Sequence, residues 1–266
     1  MFKIISNTKI APKTFTMRIE APLVAKKAEP GQFVVIRIDE QGERVPLTIA
    51  DHTGKDITIV YQVVGVTTFR LSEKKTGENI QDVAGPLGHK TEVKNFGTVC
   101  CIGGGVGIAE LYPVVKAYKS VGNKVLVIIG ARNKELVIFK KELESVSDEL
   151  FITTDDGSLG EKGFVSTVLK RLIDSGKGID LVYAVGPAIM MKVVSEITKP
   201  SKIKTIVSLN TVFVDATGMC GSCRLEVGGE TKFACVDGPE FDGHLVDFDE
   251  MIERQSLFIE QEKHAC

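Results

Sequence analysis

Several features that would assign the chain to a broad class are missing. No apolar run approaches the roughly 18 residues that cross a bilayer, and the opening residues, MFKIISNTKIAPKT, lack the apolar stretch of a secretory signal. A soluble, cytoplasmic protein without a membrane partner is the expectation. With 33 basic against 35 acidic side chains the formal charge is only -2, so nucleic acid and anionic membrane surfaces are not expected partners. Six cysteines in 266 residues are too few and too unevenly placed for a secreted disulfide framework. No Ser-His-Asp set or carboxylate pair is visible, and His52, His89 and His264 stand alone among turn and polar residues. No side chain is therefore assigned as catalytic.

What is present is a clustered ligand set. Cys220, Cys223 and Cys235 lie in DATGMCGSCRLEVGGETKFACVDGPEFDG, with Asp215 five positions before the first. The spacing D-x4-C-x2-C-x11-C is the plant-type [2Fe-2S] layout with a carboxylate in place of the first cysteine. An isolated Asp in a Gly-rich loop ordinarily forms a turn, but Asp215 occupies the one position where a ligand is missing. Structural zinc is the rival, with His244 completing a Cys3His set. Cys100 and Cys101 fall inside the apolar run TVCCIGG and read as buried hydrophobes; Cys266 has no assigned role.

The chain divides into three stretches. Residues 1–95 read as short strands, FKIISNTKI, TFTMRIEAP, QFVVIRIDE, RVPLTIADH and DITIVYQVV, with Gly and Pro between them. Their alternation and β-branched content predict a small antiparallel β-barrel. One helix, TTFRLSEKK, begins at Thr67 and Thr68, where hydroxyls and N–H groups suit a phosphate. Residues 96–205 alternate strands with helices. GTVCCIG, KVLVIIGA, ELFITTDDG and DLVYAVGP are strands; GIAELYPVVKAYKSVG, KELVIFKKELESV, GFVSTVLKRLIDSG and AIMMKVVSEITK are helices. That pattern predicts an α/β parallel-sheet nucleotide domain. Residues 206–266 carry the cysteines as a small C-terminal module with an acidic tail. No long linker separates the three, so they are expected to pack as one unit.

Gly103, Gly104, Gly105 and Gly107 join the first parallel strand to its helix, where a pyrophosphate can approach the backbone. The spacing is not G-x-G-x-x-G, and Ala131-Arg132 rather than an acid ends the second strand, which disfavours a plain Rossmann dehydrogenase. Asp155 and Asp156, with Gly186 and Pro187, close two further strands on the same sheet edge. All can serve a dinucleotide, although Asp-Gly and Gly-Pro also make ordinary turns.

Over nearly its whole length the sequence resembles the ferredoxin-NADP reductase superfamily, and within it the electron-transfer subunits of bacterial dihydroorotate dehydrogenase. The likeness is strongest to the small subunits of NADH-dependent reduced ferredoxin:NADP oxidoreductases. Pro46-Leu47-Thr48 matches the flavin motif R-P-[LI]-S. Tyr61, Gln62 and Val63 match later flavin contacts, as do Thr67 and Thr68, and Gly85-Pro86-Leu87-Gly88 matches GPLG. The motif's arginine position is Val45 here, with Arg44 one place earlier. Val185 replaces a cysteine common before Gly-Pro, and Asp215 replaces a fourth cluster cysteine usual in the dihydroorotate type. The resemblance implies FAD in the barrel, NAD(H) in the α/β domain, and a [2Fe-2S] cluster ligated by Asp215, Cys220, Cys223 and Cys235. It implies a heterodimer with a larger subunit that carries flavin and [4Fe-4S] clusters and reaches ferredoxin. Electrons would pass between NAD(H) and that partner in flavin-based bifurcation. The alternatives are an electron-transfer subunit for dihydroorotate dehydrogenase or a hydrogenase, and a stand-alone flavin reductase with a zinc-stabilised docking module.

Overall fold

A computed structural model describes residues 1–257. Cys266, His264 and the end of the acidic tail lie outside the described residues.

The first sheet contains β1 (Phe2–Ala11), β2 (Thr14–Glu20), β3 (Phe33–Arg37), β4 (Arg44–His52), β5 (Asp56–Gln62), β6 (Asn79–Ile80) and β7 (Asp82–Leu87). The short helix α1 (Pro22–Ala25) and α2 (Val66–Glu73) interrupt it. Every pairing is antiparallel in the order β6-β1-β2-β5-β4-β3-β7. The two edge strands are separated only by Gln81, whose N–H donates to Ile38 O. The sheet is thus a nearly closed barrel, as its alternation predicted. Its interior is packed with Ile4, Met17, Val34, Ile36, Ile57 and Ile59, among others.

β4 shows how alternation sets up the site. Val45 and Leu47 face inward onto the barrel core, opposite Ile36 and Val34 of β3. Successive strand residues point to opposite faces, so Arg44, Pro46 and Thr48 share the outer face with their β3 partners Arg37, Val35 and Phe33. Phe33 and Val35 pack into the core on one face of the second sheet, which the C-terminal stretch shares.

The second sheet is built from β8 (Thr98–Gly104), β9 (Lys124–Ala131), β10 (Glu149–Thr154), β11 (Glu161–Lys162), β12 (Leu181–Val185), β13 (Lys204–Ser208) and a late strand, β16 (Glu240–Asp242). Its order is β11-β10-β9-β8-β12-β13-β16. All pairs are parallel except β13 with β16. The chain runs from β8 out through β9 and β10, then returns to β12 on the other side. A topological switch point therefore lies between β8 and β12, where open α/β sheets bind ligands. Helices α3 (Gly107–Ser120) and α4 (Lys140–Val146) belong to the core on one face, α5 (Val165–Asp174) and α6 (Ala188–Thr198) to the core on the other.

Two details differ from expectation. The helix expected from Lys134 is broken: a 3-10 turn covers Lys134–Leu136, and α4 starts only at Lys140 after Phe139, whose φ is 55°. The apolar Val137-Ile138-Phe139 packs with one sheet core instead of continuing a helical face. β13 adds a fifth long parallel strand, and the expected boundary at 205/206 falls inside it. The C-terminal stretch donates β16 to the sheet and so packs as one unit with the α/β domain, as expected. Its β14 (Arg224–Val227) and β15 (Glu230–Phe233) form a hairpin, and α7 (Phe248–Ser256) follows. Leu225, Ala234, Phe248 and Met251 share one core with β8, β12 and Phe33, and Phe33 meets Phe213 edge-on at 5.5 Å between ring centroids.

Candidate functional site

The ends of β8 and β12 touch through glycines. A Cβ on Gly107 would lie 2.8 Å from Val185 O, and one on Gly186 would lie 2.9 Å from Gly104 O. A side chain at Gly186 would push the two strand ends apart, and one at Gly107 would push the start of α3 off the end of β12. Above this floor opens a cavity of about 910 Å3 between the barrel and the second sheet. Of the residues expected at a nucleotide, Gly104, Gly105, Gly107, Asp155, Gly186 and Pro187 line it, and Gln62 closes it from the barrel side. Gly103 is buried one step back in β8, with Ile108 and Leu111 beside it. Asp156 is exposed, and its carboxylate accepts from the Ser158 hydroxyl and N–H at 2.6 and 2.9 Å. Those bonds hold its carboxyl below the ordinary range and make it a loop former.

The flavin-motif residues divide by the faces they occupy. Leu47 faces the barrel core. Tyr61 is 1% exposed, stacks on Phe15 and donates to Asn7 Oδ1 at 3.0 Å, so its side chain is a core element. Val63 N–H donates to Lys13 O. Thr67 donates to Glu43 Oε2 at 2.7 Å. The Thr68 hydroxyl accepts from the Val64 and Gly65 N–H groups and closes the start of α2. The first-turn N–H groups of α2 have no acceptor within the helix, as at any helix start. Pro46 and Thr48 occupy the outer face of β4, half-buried.

Thr48 Oγ1 donates to Glu110 Oε2 at 2.9 Å. Glu110 lies in the first turn of α3 and lines the cavity. Burial raises its carboxyl above the ordinary range against the opposing effect of the Thr48 bond. It was not singled out from sequence, because an acid in a helix's first turn is ordinary dipole complementation. The clue available was one charged residue within the otherwise apolar GIAELYPVV. Arg132, at the end of the second parallel strand, also lines the cavity, as do Thr14, Phe164 and Gln255; these last three were not expected there, and only the fold gathers them.

The cysteine loop is held from three sides. Ala234 N–H donates to Cys223 O, Arg254 of α7 donates to Ser222 O at 3.1 Å, and Ala216, buried at φ 61°, turns the chain directly after Asp215. The sulfurs of Cys223 and Cys235 are 3.2 Å apart and buried. Burial, together with Cys223, pushes the Cys235 thiol up. Cys220 is exposed. Its thiol is lowered by hydrogen bonds from the Ser222 backbone and hydroxyl and from the Asp215 backbone, with the Asp215 charge opposing. Asp215 keeps its carboxylate between Thr217 Oγ1, which donates to Oδ2, and Arg44, whose Nη1 is 3.8 Å from Oδ1.

Cys223 and Cys235 thus form a close sulfur pair, while Asp215 meets Cys220 through its main chain and turns its carboxylate to Thr217 and Arg44. Among the described residues no three His, Cys, Asp or Glu converge on one ion position. A [2Fe-2S] cluster takes two protein ligands on each iron, and the Cys223–Cys235 pair would serve one of them. His244 is not brought to the cysteines: its Nε2 lies 2.9 Å from Thr198 Oγ1 on α6.

Residues 101–196 match an oxidoreductase NAD-binding domain, and residues 210–247 match the iron-sulfur cluster binding domain of dihydroorotate dehydrogenase B. A Thermotoga maritima protein described as a dihydroorotate dehydrogenase B (NAD(+)) electron transfer subunit homolog is 49% identical, over 98% of this chain and 93% of its own length. A Caldanaerobacter subterraneus electron transfer subunit is 33% identical over 90% and 94%. A solved structure of an NADH-dependent reduced ferredoxin-NADP oxidoreductase superposes with a TM-score of 0.94 at 47% identity, covering 100% of this chain and 96% of that one. Phthalate dioxygenase reductase shares the fold at 17% identity, with a TM-score of 0.64 over 85% of each chain. Among the described residues no helix is long and apolar enough to cross a membrane. With an NAD-binding sheet, an iron-sulfur module and relatives matched almost end to end, the chain belongs to the family of dihydroorotate dehydrogenase B electron transfer subunits and their homologues, oxidoreductase subunits on the ferredoxin-NADP reductase fold.

Proposed function

We propose that the chain is the small subunit of an electron-bifurcating NADH-dependent ferredoxin:NADP oxidoreductase. In this reading it binds NAD(H), FAD and a [2Fe-2S] cluster and exchanges electrons with a larger flavin and [4Fe-4S] subunit. The observation that carries it is Asp215, whose main chain bonds Cys220 and whose carboxylate stands at the position where the dihydroorotate-type subunits are expected to have a fourth thiolate. The end-to-end likeness to the NADH-dependent reduced ferredoxin-NADP oxidoreductase supports it.

The residues available fit the division of labour. NAD(H) would lie in the cavity over Gly104, Gly107 and Gly186. FAD would lie along the outer face of β4, near Pro46 and Thr48, with its phosphates toward the start of α2. When bound, a flavin accepts two electrons together as hydride and passes them on singly. The chain's own part is to orient the two rings, exclude water and hold the cluster. Hydride transfer needs no side-chain acid or base, which is consistent with a cavity floor made of glycines.

A dihydroorotate dehydrogenase role is the second reading, favoured by the names of the Thermotoga and Caldanaerobacter relatives. Anaerobic co-purification with the subunit encoded beside it decides between them. The proposal expects flavin, iron and acid-labile sulfide on this chain, and NADP reduction that requires NADH and reduced ferredoxin together. Dihydroorotate oxidation by the complex, without that joint requirement, would transfer the assignment to the second reading. Zinc without sulfide would remove both.

A further inference from the structure

Arg44 opens the strand whose next residues form the flavin motif, yet its guanidinium faces the cysteine loop. Its Nη1 lies 3.8 Å from Asp215 Oδ1, and the other carboxylate oxygen accepts from Thr217. Both oxygens of the unusual ligand are therefore already placed before any metal is considered. Residue parity explains the direction of Arg44. It shares the outer face of β4 with Pro46 and Thr48, whereas an arginine at Val45 would share the inward face of Leu47. The backbone cooperates: Ala216 is fixed at φ 61° in the core, and the Asp215 main chain bonds Cys220.

We infer that Arg44 is a positioning residue for the ligand Asp215, and that its fixed positive charge raises the reduction potential of the cluster bound there. The inference rests on the reading of this loop as a [2Fe-2S] site. The chemistry is electrostatic: the cluster gains one negative charge on taking up an electron, and a cation beside one of its ligands favours that state. Net charge and solvent exposure are among the properties that set such potentials. The side chain of Arg44 is 54% exposed and that of Asp215 28%, so solvent screens the effect and salt diminishes it.

The test uses the full chain co-purified anaerobically with its partner, as wild type, Arg44→Gln and Arg44→Lys. Iron, sulfide and flavin are counted per chain, and the cluster potential is read by EPR-monitored titration at low and high salt. Arg44→Gln should keep iron and sulfide and shift the potential downward by roughly a tenfold change in the one-electron equilibrium, about 59 mV. Arg44→Lys should stay near wild type, and the gap should narrow at about 1 M salt, where the screening length is about 3 Å. A Gln variant that titrates at the wild-type potential at low salt overturns the inference, as does one that loses flavin while the cluster potential stays fixed. If Arg44→Gln loses the cluster, Arg44→Gln combined with Asp215→Cys decides the matter. Recovery of iron and sulfide shows that Arg44 acts through the carboxylate; no recovery shows that it does not. Wild-type complex without iron and sulfide would instead sink the reading of the loop as a cluster site.

Discussion

Thr48 and Glu110 join the two sheets by one hydrogen bond, 2.9 Å from hydroxyl to carboxyl, at the wall of the cavity. The hydroxyl belongs to the barrel and the acid to the helix that follows the glycine turn. Burial favours the neutral acid, and this has a definite consequence for stability. A carboxyl whose folded pKa is raised contributes stability that is fully present below the unfolded value, near 4.5, and is lost as pH rises through the folded value. Glu110→Gln cannot ionise. Relative to wild type it should therefore gain stability as pH rises from about 4.5 toward neutrality, measured by chemical denaturation across that range. A constant difference between the two proteins would show that Glu110 titrates normally.

Gly107→Ala places a methyl group 2.8 Å from Val185 O. The start of α3 must move away from the end of β12, at about 1–3 kcal/mol, and the floor beneath the nucleotide moves with it. Weaker NADH binding and a lower Tm are expected together, read by titration and thermal unfolding. Unchanged NADH affinity would argue that the dinucleotide does not rest on this turn.

The four proposed cluster ligands should separate in their effects. Cys223→Ser and Cys235→Ser alter the buried pair and should abolish iron and sulfide binding. Asp215→Ala should lower cluster content, whereas Asp215→Cys should retain it with a changed EPR spectrum. Spectra identical in wild type and Asp215→Cys would remove Asp215 from the ligand set.

Glu240 ties together segments distant in sequence. Its Oε1 accepts from Thr91 Oγ1 at 2.5 Å and from the Tyr183 hydroxyl at 2.8 Å, and burial raises its carboxyl. Glu240→Ala strands both donors, each costing about 1–3 kcal/mol. The expected result is a fall in denaturation free energy with iron and sulfide content retained. A cost below about 0.5 kcal/mol, the range of an ordinary surface substitution, would show that these hydroxyls find other partners.

How much of this was readable in the chain depends on whether a local rule was enough. β1 to β5 announce themselves because inward residues alternate with outward ones, as at Val45, Leu47 and Ile49. The glycines at 104, 107 and 186 were readable because close backbone approach leaves few other choices. β16 was not: three residues, Glu240–Asp242, become a strand only by pairing with β13. α4 was drawn too long because the left-handed turn at Phe139 carries no Gly or Pro to mark it. The Arg44–Asp215 pair joins residues far apart in sequence, and no spacing rule reports it.

β4 also imposes an arithmetic on evolution. At about 3.4 Å per residue, Arg44 and Thr48 stand about 14 Å apart along one edge-to-edge spacer, one meeting the cysteine loop and the other the nucleotide cavity. A single inserted or deleted residue between them would throw the two side chains onto opposite faces. The segment can therefore keep both contacts only if it lengthens or shortens in steps of two.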